Sequence, residues 1–208
     1  DRMELGIDLE AAIKVATSKG APAGWLQNRQ LVEAFFEYDS SRKYSSSNPI
    51  GFEREFFRVS REVIVPIEPL SIIREKGKFV PIFVCGWSSN PLQRRQRRLL
   101  MTMYEDAFLS LTDYQDSPSE VLFFPKNEGR RSDNKEENIR ESEVWRRGDY
   151  ELLSQAELSQ CVEVFVLARE MARQILQDEI REIQDKVRAT GVDVPPAKPT
   201  SDDLFGKK

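Results

Sequence analysis

The sequence predicts an α+β fold, with a small mixed, mainly antiparallel sheet, flanking helices and a long protruding C-terminal helix. Three observations predict it. Apolar residues recur at helical spacing up to Tyr38 and turn to alternation after Phe52. Phe79–Cys85 is an unbroken apolar run, as expected of a strand covered on both faces, and a helical pattern follows it. Ser154-Gln155-Ala156-Glu157 is a capping box, and it opens the longest helical pattern in the chain.

Taken in order, residues 1–20 carry Leu5, Leu9, Ala12, Ile13 and Ala16 at helical spacing, with Asp8 as cap and Gly20-Ala21-Pro22 as stop. Trp25 to about Tyr38 is a second helix, with Leu31, Phe35 and Tyr38 recurring along it. Ser40–Pro49 is serine-rich and reads as a loop. Between Phe52 and Ile73 the period becomes two in places, and Pro66 and Pro69 argue for an edge or a bulge. Arg74–Lys78 is a polar turn with Gly77, so a hairpin joins Leu70–Arg74 to Phe79–Cys85. Two or three antiparallel strands therefore end in the buried strand. Pro81 has no N–H to donate, so pairing on its side begins after it.

Gly86-Trp87-Ser88-Ser89 is a corner, and Asn90-Pro91-Leu92-Gln93 opens a helix over 91–111. Asn90 is the expected cap and Pro91 the expected first helical residue. Leu92, Gln96, Leu99, Leu100, Met103, Ala107 and Leu111 share its apolar stripe, with Arg94, Arg98 and Glu105 turned away. Glu120–Phe124 is a strand that pairs parallel to 79–85 as a crossover unit. Residues 126–143 form a mobile charged loop, and Val144-Trp145 with Tyr150–Leu153 re-enters the sheet. In the last helix Leu158, Cys161, Val162, Phe165 and Val166 read as core. Leu176, Ile180, Ile183 and Val187 alternate by four and three, as in a coiled-coil seam. The helix ends at Gly191. The organisation is a single α+β domain over 1–191 and a disordered Pro-rich linker and tail over 192–208.

Composition bounds the chemistry. The chain has 208 residues, 39% hydrophobic and 32% charged, with a net charge of −4, so any attraction for an anion is local. No apolar run approaches a bilayer span. Histidine is absent, which removes the usual neutral-pH base and the usual zinc ligand. Cys85 and Cys161 read as two small buried hydrophobes of a reducing compartment. Residue 1 is Asp rather than Met, consistent with a fragment or a processed form.

The sharpest local signal is Arg94, Arg95, Arg97 and Arg98 at a helix start, where the dipole disfavours cations. Two causes would offset that cost. Ser88, Ser89 and Asn90, with Arg94, Arg95 and Arg98, form a phosphate site at the helix N-terminus. Alternatively the arginines pair with Glu105, Asp106 or the acidic loop. Arg42-Lys43 is a second basic cluster, whose flanking Tyr38 and Tyr44 would stack bases or simply lie in a loop.

The order helix, hairpin, strand, helix, strand is similar to the core of the restriction-endonuclease-like nucleases. That family holds a metal with an acidic residue and a Glu/Asp-x-Lys on neighbouring strands. Here the central strand carries Pro81, Phe83 and Cys85, with Glu68, Glu75 and Lys78 nearby, so the active-site pattern is missing. The tail Ser201-Asp202-Asp203-Leu204-Phe205 resembles the peptides that hold bacterial sliding clamps, with Ser201 and Asp202 in place of the expected Gln and Leu.

The leading expectation is a non-enzymatic cytoplasmic binding protein or accessory subunit of a nucleic-acid-processing assembly, without cofactor or metal. Its partners are nucleic acid through the basic helix, and a second copy or another protein through Leu176, Ile180, Ile183 and Val187. The alternatives are a pure protein-interaction subunit using the C-terminal helix, and a metal-dependent nuclease using acids such as Glu53, Glu55, Glu62 and Glu68. No membrane partner is expected.

Overall fold

A computed structural model of the chain describes residues 2–18, 20–44, 50–126 and 140–190. The fold is α+β, as the change of period requires. Helices α1 (Arg2–Leu5), α2 (Leu9–Ala16) and α3 (Trp25–Arg42) come first. Asp8 caps α2 by accepting from the Ala11 N–H at 2.8 Å. Strands β1 (Glu55–Arg58) and β2 (Ile64–Ile67) form a two-stranded antiparallel sheet. Strands β3 (Ser71–Glu75), β4 (Lys78–Cys85), β5 (Glu120–Phe123) and β6 (Glu143–Arg146) form a four-stranded sheet in sequential order. Its β4–β5 pair is parallel and the other two are antiparallel. Helix α4 (Arg94–Tyr104) supplies the crossover, and α5 runs from Gln155 to Thr190. The chain divides into two compact units, Asp1–Leu158 and Ser159–Lys208.

The continuous apolar run of β4 follows from a sheet covered on both faces. On one face Ile73, Val80, Ile82, Leu122 and Phe124 pack with Ala34, Leu31 and Phe35 of α3. On the other, Ile72, Phe83, Val121, Phe123 and Trp145 pack with Met101 of α4, with Phe108 and Leu109 just beyond it, and with Phe57 and Ile67 of the two-stranded sheet. Successive residues of β4 and β5 thus serve opposite cores. Pro81 fits as expected: β5 pairs with β4 only from Ile82 onward.

Several boundaries differ from the expectation, each for a local reason. Helix α3 continues to Arg42 instead of stopping at Tyr38, because Arg42 reaches acids on β3 and β5. The strands between Phe52 and Ile73 split into two sheets instead of one. Helix α4 begins at Arg94 rather than at 91. Gln93 is its cap, in a reciprocal capping box with Gln96, whose Oε1 accepts the Gln93 N–H at 2.8 Å. Asn90 is instead drawn to Glu143, donating to it at 2.9 Å. Helix α4 ends at Tyr104 rather than 111, and Glu105–Leu109 is one π-helical turn. That turn adds a residue and rotates the buried face. Phe108 is therefore fully buried and Leu111, assigned to the stripe, is exposed; in the α-helical part before the turn, Met101 is buried and Gln96, also assigned to the stripe, is exposed.

Tyr150–Leu153 is not a strand; its backbone is held by α4 side chains instead. The Ser154–Glu157 capping box forms as expected. Leu158 is buried, whereas Phe165 and Val166, expected in the core, are 47% and 40% exposed. Apolar density alone does not bury a helix face; a covering element is needed. Most of the charged loop, the end at Gly191 and the tail lie outside the described residues. Both cysteines are thiols, half-buried.

Phe108 joins the π turn to the sheet. It lies edge-on to Phe83 at 5.8 Å between ring centroids and stacks on Tyr114 at 4.8 Å. Phe108→Ala is expected to cost about 3–5 kcal/mol, as truncation of a buried aromatic does, read from urea denaturation of the purified chain.

Candidate functional site

The arginine-rich start of α4 is engaged mostly inside the protein. Glu143 on β6 collects three donors: Asn90 Nδ2 at 2.9 Å, Arg97 Nη1 at 3.0 Å and Trp145 Nε1 at 2.9 Å. The Arg97 guanidinium also lies 5.0 Å from the Trp145 ring centroid, a cation–π contact. Arg98 donates to the Glu151 carbonyl at 2.8 Å and the Leu152 carbonyl at 3.1 Å, and it lies 3.6 Å from Glu157. Thr102 Oγ1 accepts the Leu153 N–H at 2.9 Å. Together these bonds hold the segment that leads into α5.

Of the predicted anion-site residues, Ser88, Ser89, Arg94 and Arg95 are exposed. Among the described residues no hydrogen bond or ion pair joins either serine to Arg94 or Arg98. Arg97 and Arg98 do pair with acids: Arg97 with Glu143, the last residue of the charged loop and so among the expected partners, and Arg98 with Glu151 and Glu157, which lie outside it. Glu105 is taken instead by Arg147, which also donates to the carbonyls of Tyr114 and Ser117 at 2.7 and 2.8 Å. A further arginine escaped sequence reading. Arg140 is 4% exposed and donates to the carbonyls of Gly86, Trp87 and Phe124. Burial holds its guanidinium below the usual range.

The predicted partner-binding residues are placed differently. Leu176, Ile180 and Ile183 are 57%, 54% and 60% exposed, and Val187 is partly buried. Val164, Leu167, Met171 and Ile175 are exposed as well, so the apolar surface of α5 is broader than the four-residue seam.

The second basic cluster has become part of a polar network. Tyr44 is buried, and its hydroxyl donates to Glu120 Oε2 at 2.6 Å. Tyr38 donates to the same oxygen at 3.2 Å. Arg42 reaches Glu120 Oε1 at 3.0 Å through Nε, and Glu75 through Nη1 and Nη2 at 2.9 and 2.8 Å. These tyrosines are occupied as donors to a buried carboxylate and do not present their faces for base stacking. The signal available in the sequence was one acid, Glu120, opening an otherwise apolar strand.

The nuclease alternative needs clustered acids. Glu68 is held at the surface by Arg54 at 2.6 Å. Glu53 and Glu55 line a separate hollow of about 310 Å³ with Asp113 and Tyr114. Among the described residues no group of three or more acids or cysteines is arranged to hold a metal ion. No described helix is long and apolar enough to cross a membrane.

Comparison with protein-family models, with curated proteins and with solved structures finds no match to this chain.

Two outcomes are expected. Arg97→Ala and Arg98→Ala each lower stability by about 1.5–3 kcal/mol, the range for hydrogen bonds involving a charged group, while Arg94→Ala stays within about 0.5 kcal/mol, both read from denaturation midpoints. The second concerns pH. Burial, then the Glu120 bond and charge, push the Tyr44 phenol far above its ordinary value. Burial raises Tyr38 and Tyr114 as well, and takes Tyr104 to about 12. A phenol raised on folding contributes stability that is complete below the unfolded value of about 10 and is lost as pH rises past it. Phenolate absorbance of the native protein therefore lags behind that of the denatured chain above pH of about 10, and the melting temperature falls over the same range.

Proposed function

We propose that the chain is a non-enzymatic assembly subunit whose working element is α5, and that its partner is a second copy of the same helix. The observation that carries this reading is the exposed apolar seam. At 3.6 residues per turn, Phe165, Ala172, Leu176, Ile180, Ile183 and Val187 fall on one side of the helix. Their spacing continues the alternation of four and three with one irregular step. Each exposed Leu, Ile or Phe keeps about half of its surface in water, so covering it would contribute about 1–1.5 kcal/mol, half of what full burial is worth. The helix is 36 residues long, about 54 Å at 1.5 Å per residue, enough for several heptads.

Charge favours self-pairing. Between Ser159 and Thr190 there are six carboxylates, at 163, 170, 178, 179, 182 and 185, against five cations, at 169, 173, 181, 186 and 188. Two copies would meet with both signs interspersed and without net repulsion. Some of these charges pair along the helix, as Arg173 with Glu170 and Lys186 with Glu182. Arg169 takes a seam position four residues after Phe165. A polar residue there restricts which registers two copies can adopt.

Light scattering should find the wild type as a dimer or higher oligomer at micromolar concentration. The Ile180→Asp, Ile183→Asp double variant should be a monomer that keeps the melting behaviour of the Asp1–Leu158 unit. A monomeric wild type over the same concentrations would overturn the reading.

A second reading is contact with a nucleic-acid backbone inside such an assembly. One observation favours it: Arg94 and Arg95 are exposed in the first turn of α4, where the dipole disfavours cations. Titration with DNA and RNA at two salt concentrations tests it. Absence of binding at low salt would end it.

A further inference from the structure

We propose that the cleft between the end of α3, the β3–β4 turn and β6 is a binding site for multivalent phosphate-bearing anions. The cleft has a volume of about 630 Å³ and is lined by Arg42, Arg74, Glu75, Lys76, Glu120 and Arg146. All six belong to the Asp1–Leu158 unit. The site is separate from the α5 seam and from the arginine turn of α4.

The charges are arranged in two layers. The inner layer is hydrogen-bonded within itself and keeps one net negative charge, two carboxylates against one guanidinium. Both carboxylates accept from Arg42, which bonds Glu75 with two nitrogens and Glu120 with a third. Glu120 is 5% exposed, and the Tyr38 and Tyr44 hydroxyls take its other oxygen. The outer layer is Arg74, Lys76 and Arg146. Among the described residues, Arg74 and Lys76 have no side-chain hydrogen bond or ion pair, and Arg146 has only Glu120 at the limit of 4.0 Å. Four cations thus face two carboxylates that are already occupied, in a chain whose net charge is −4. An external anion would offset the mutual repulsion of the outer three. Two arginines supply bidentate donors and the lysine a compact charge, the combination suited to phosphate oxygens. Among the described residues no aromatic side chain lines the cleft, so the recognition proposed is of the phosphates rather than of a base.

The turn gives a second, independent observation. Lys76 and Gly77 have φ of +49° and +81°, a two-residue type I′ turn between β3 and β4. Asn or Gly is the favoured first residue of such a turn, and a lysine there carries a backbone cost. The side chain that bears this cost lines the cleft.

Calorimetric titration of the full chain with inorganic tripolyphosphate tests the proposal. One site per chain is expected, weakening as salt rises. Arg74→Gln with Lys76→Asn should raise Kd at least tenfold, and Arg61→Gln, an exposed arginine elsewhere, should leave it unchanged. Lys76→Asn alone creates the favoured Asn-Gly turn. It should raise the melting temperature of the unliganded protein while weakening binding, a combination that a purely structural lysine would not produce. A parallel titration with single-stranded DNA identifies the source of the phosphates. DNA binding lost in the same variant and displaced by tripolyphosphate points to a nucleic-acid backbone. Tripolyphosphate binding without DNA binding points to a small polyphosphate compound. No binding of tripolyphosphate at low salt, or binding that the double variant leaves unchanged, overturns the proposal.

Discussion

Glu120 opens β5, and the packing of α3 against the sheet depends on how its charge is met. A carboxylate at 5% exposure is tolerated only when its oxygens are bonded. Here Arg42, Tyr38 and Tyr44 converge on it, all from α3 or the residues just after it. Three ordinary side chains thereby become a directional clamp. Ala34, Leu31 and Phe35 supply the apolar contact beneath, which by itself would leave the helix free to slide. Removing the acid would leave the buried Tyr44 hydroxyl without its acceptor and Arg42 held by Glu75 alone; removing a single tyrosine would leave the carboxylate partly bonded.

The opposite face repeats the device. Glu143 gathers Asn90, Arg97 and Trp145, and Arg147 gathers Glu105 with the carbonyls that follow the π turn. Each of these groups spans segments far apart in sequence. The apolar cores decide that the layers come together, and the polar groups decide in what alignment. Arginine is well suited to this, because one planar fork reaches a carboxylate and backbone oxygens together. The unusual arginine density at α4 is therefore accounted for in good part by Arg97 and Arg98, which serve the fold.

Local signals carried the fold a long way. The buried strand, the Lys76–Gly77 turn and the Ser154 capping box were legible because each follows from neighbours in sequence, and the parallel placement of β5 because a strand–helix–strand order favours a parallel crossover. What escaped was set by distant partners. Asn90 had the composition of a cap, but Glu143, more than fifty residues away, took it. Gln93 and Gln96 then formed the cap, a less favoured pair. Tyr38 and Tyr44 looked like stacking residues because their acceptor lies on β5. Phe165 and Val166 looked like core because density of apolar residues does not say whether a cover exists. The charged cleft was invisible for the same reason: its lining residues come from four separate strands and helices.

The parallel register of β4 and β5 has a consequence for how the chain reaches this state. β3 and β4 are joined by two residues, and α2 and α3 are close neighbours in sequence, so both pairs can form early at little entropic cost. The bond between Ile82 and Glu120 cannot, because α4 and the π turn must first be threaded across the sheet. That single long closure brings the two antiparallel halves of the sheet into register and, through Glu120, brings α3 down upon them. Contacts of such long sequence separation slow folding, because the loop must close before the pairing repays it.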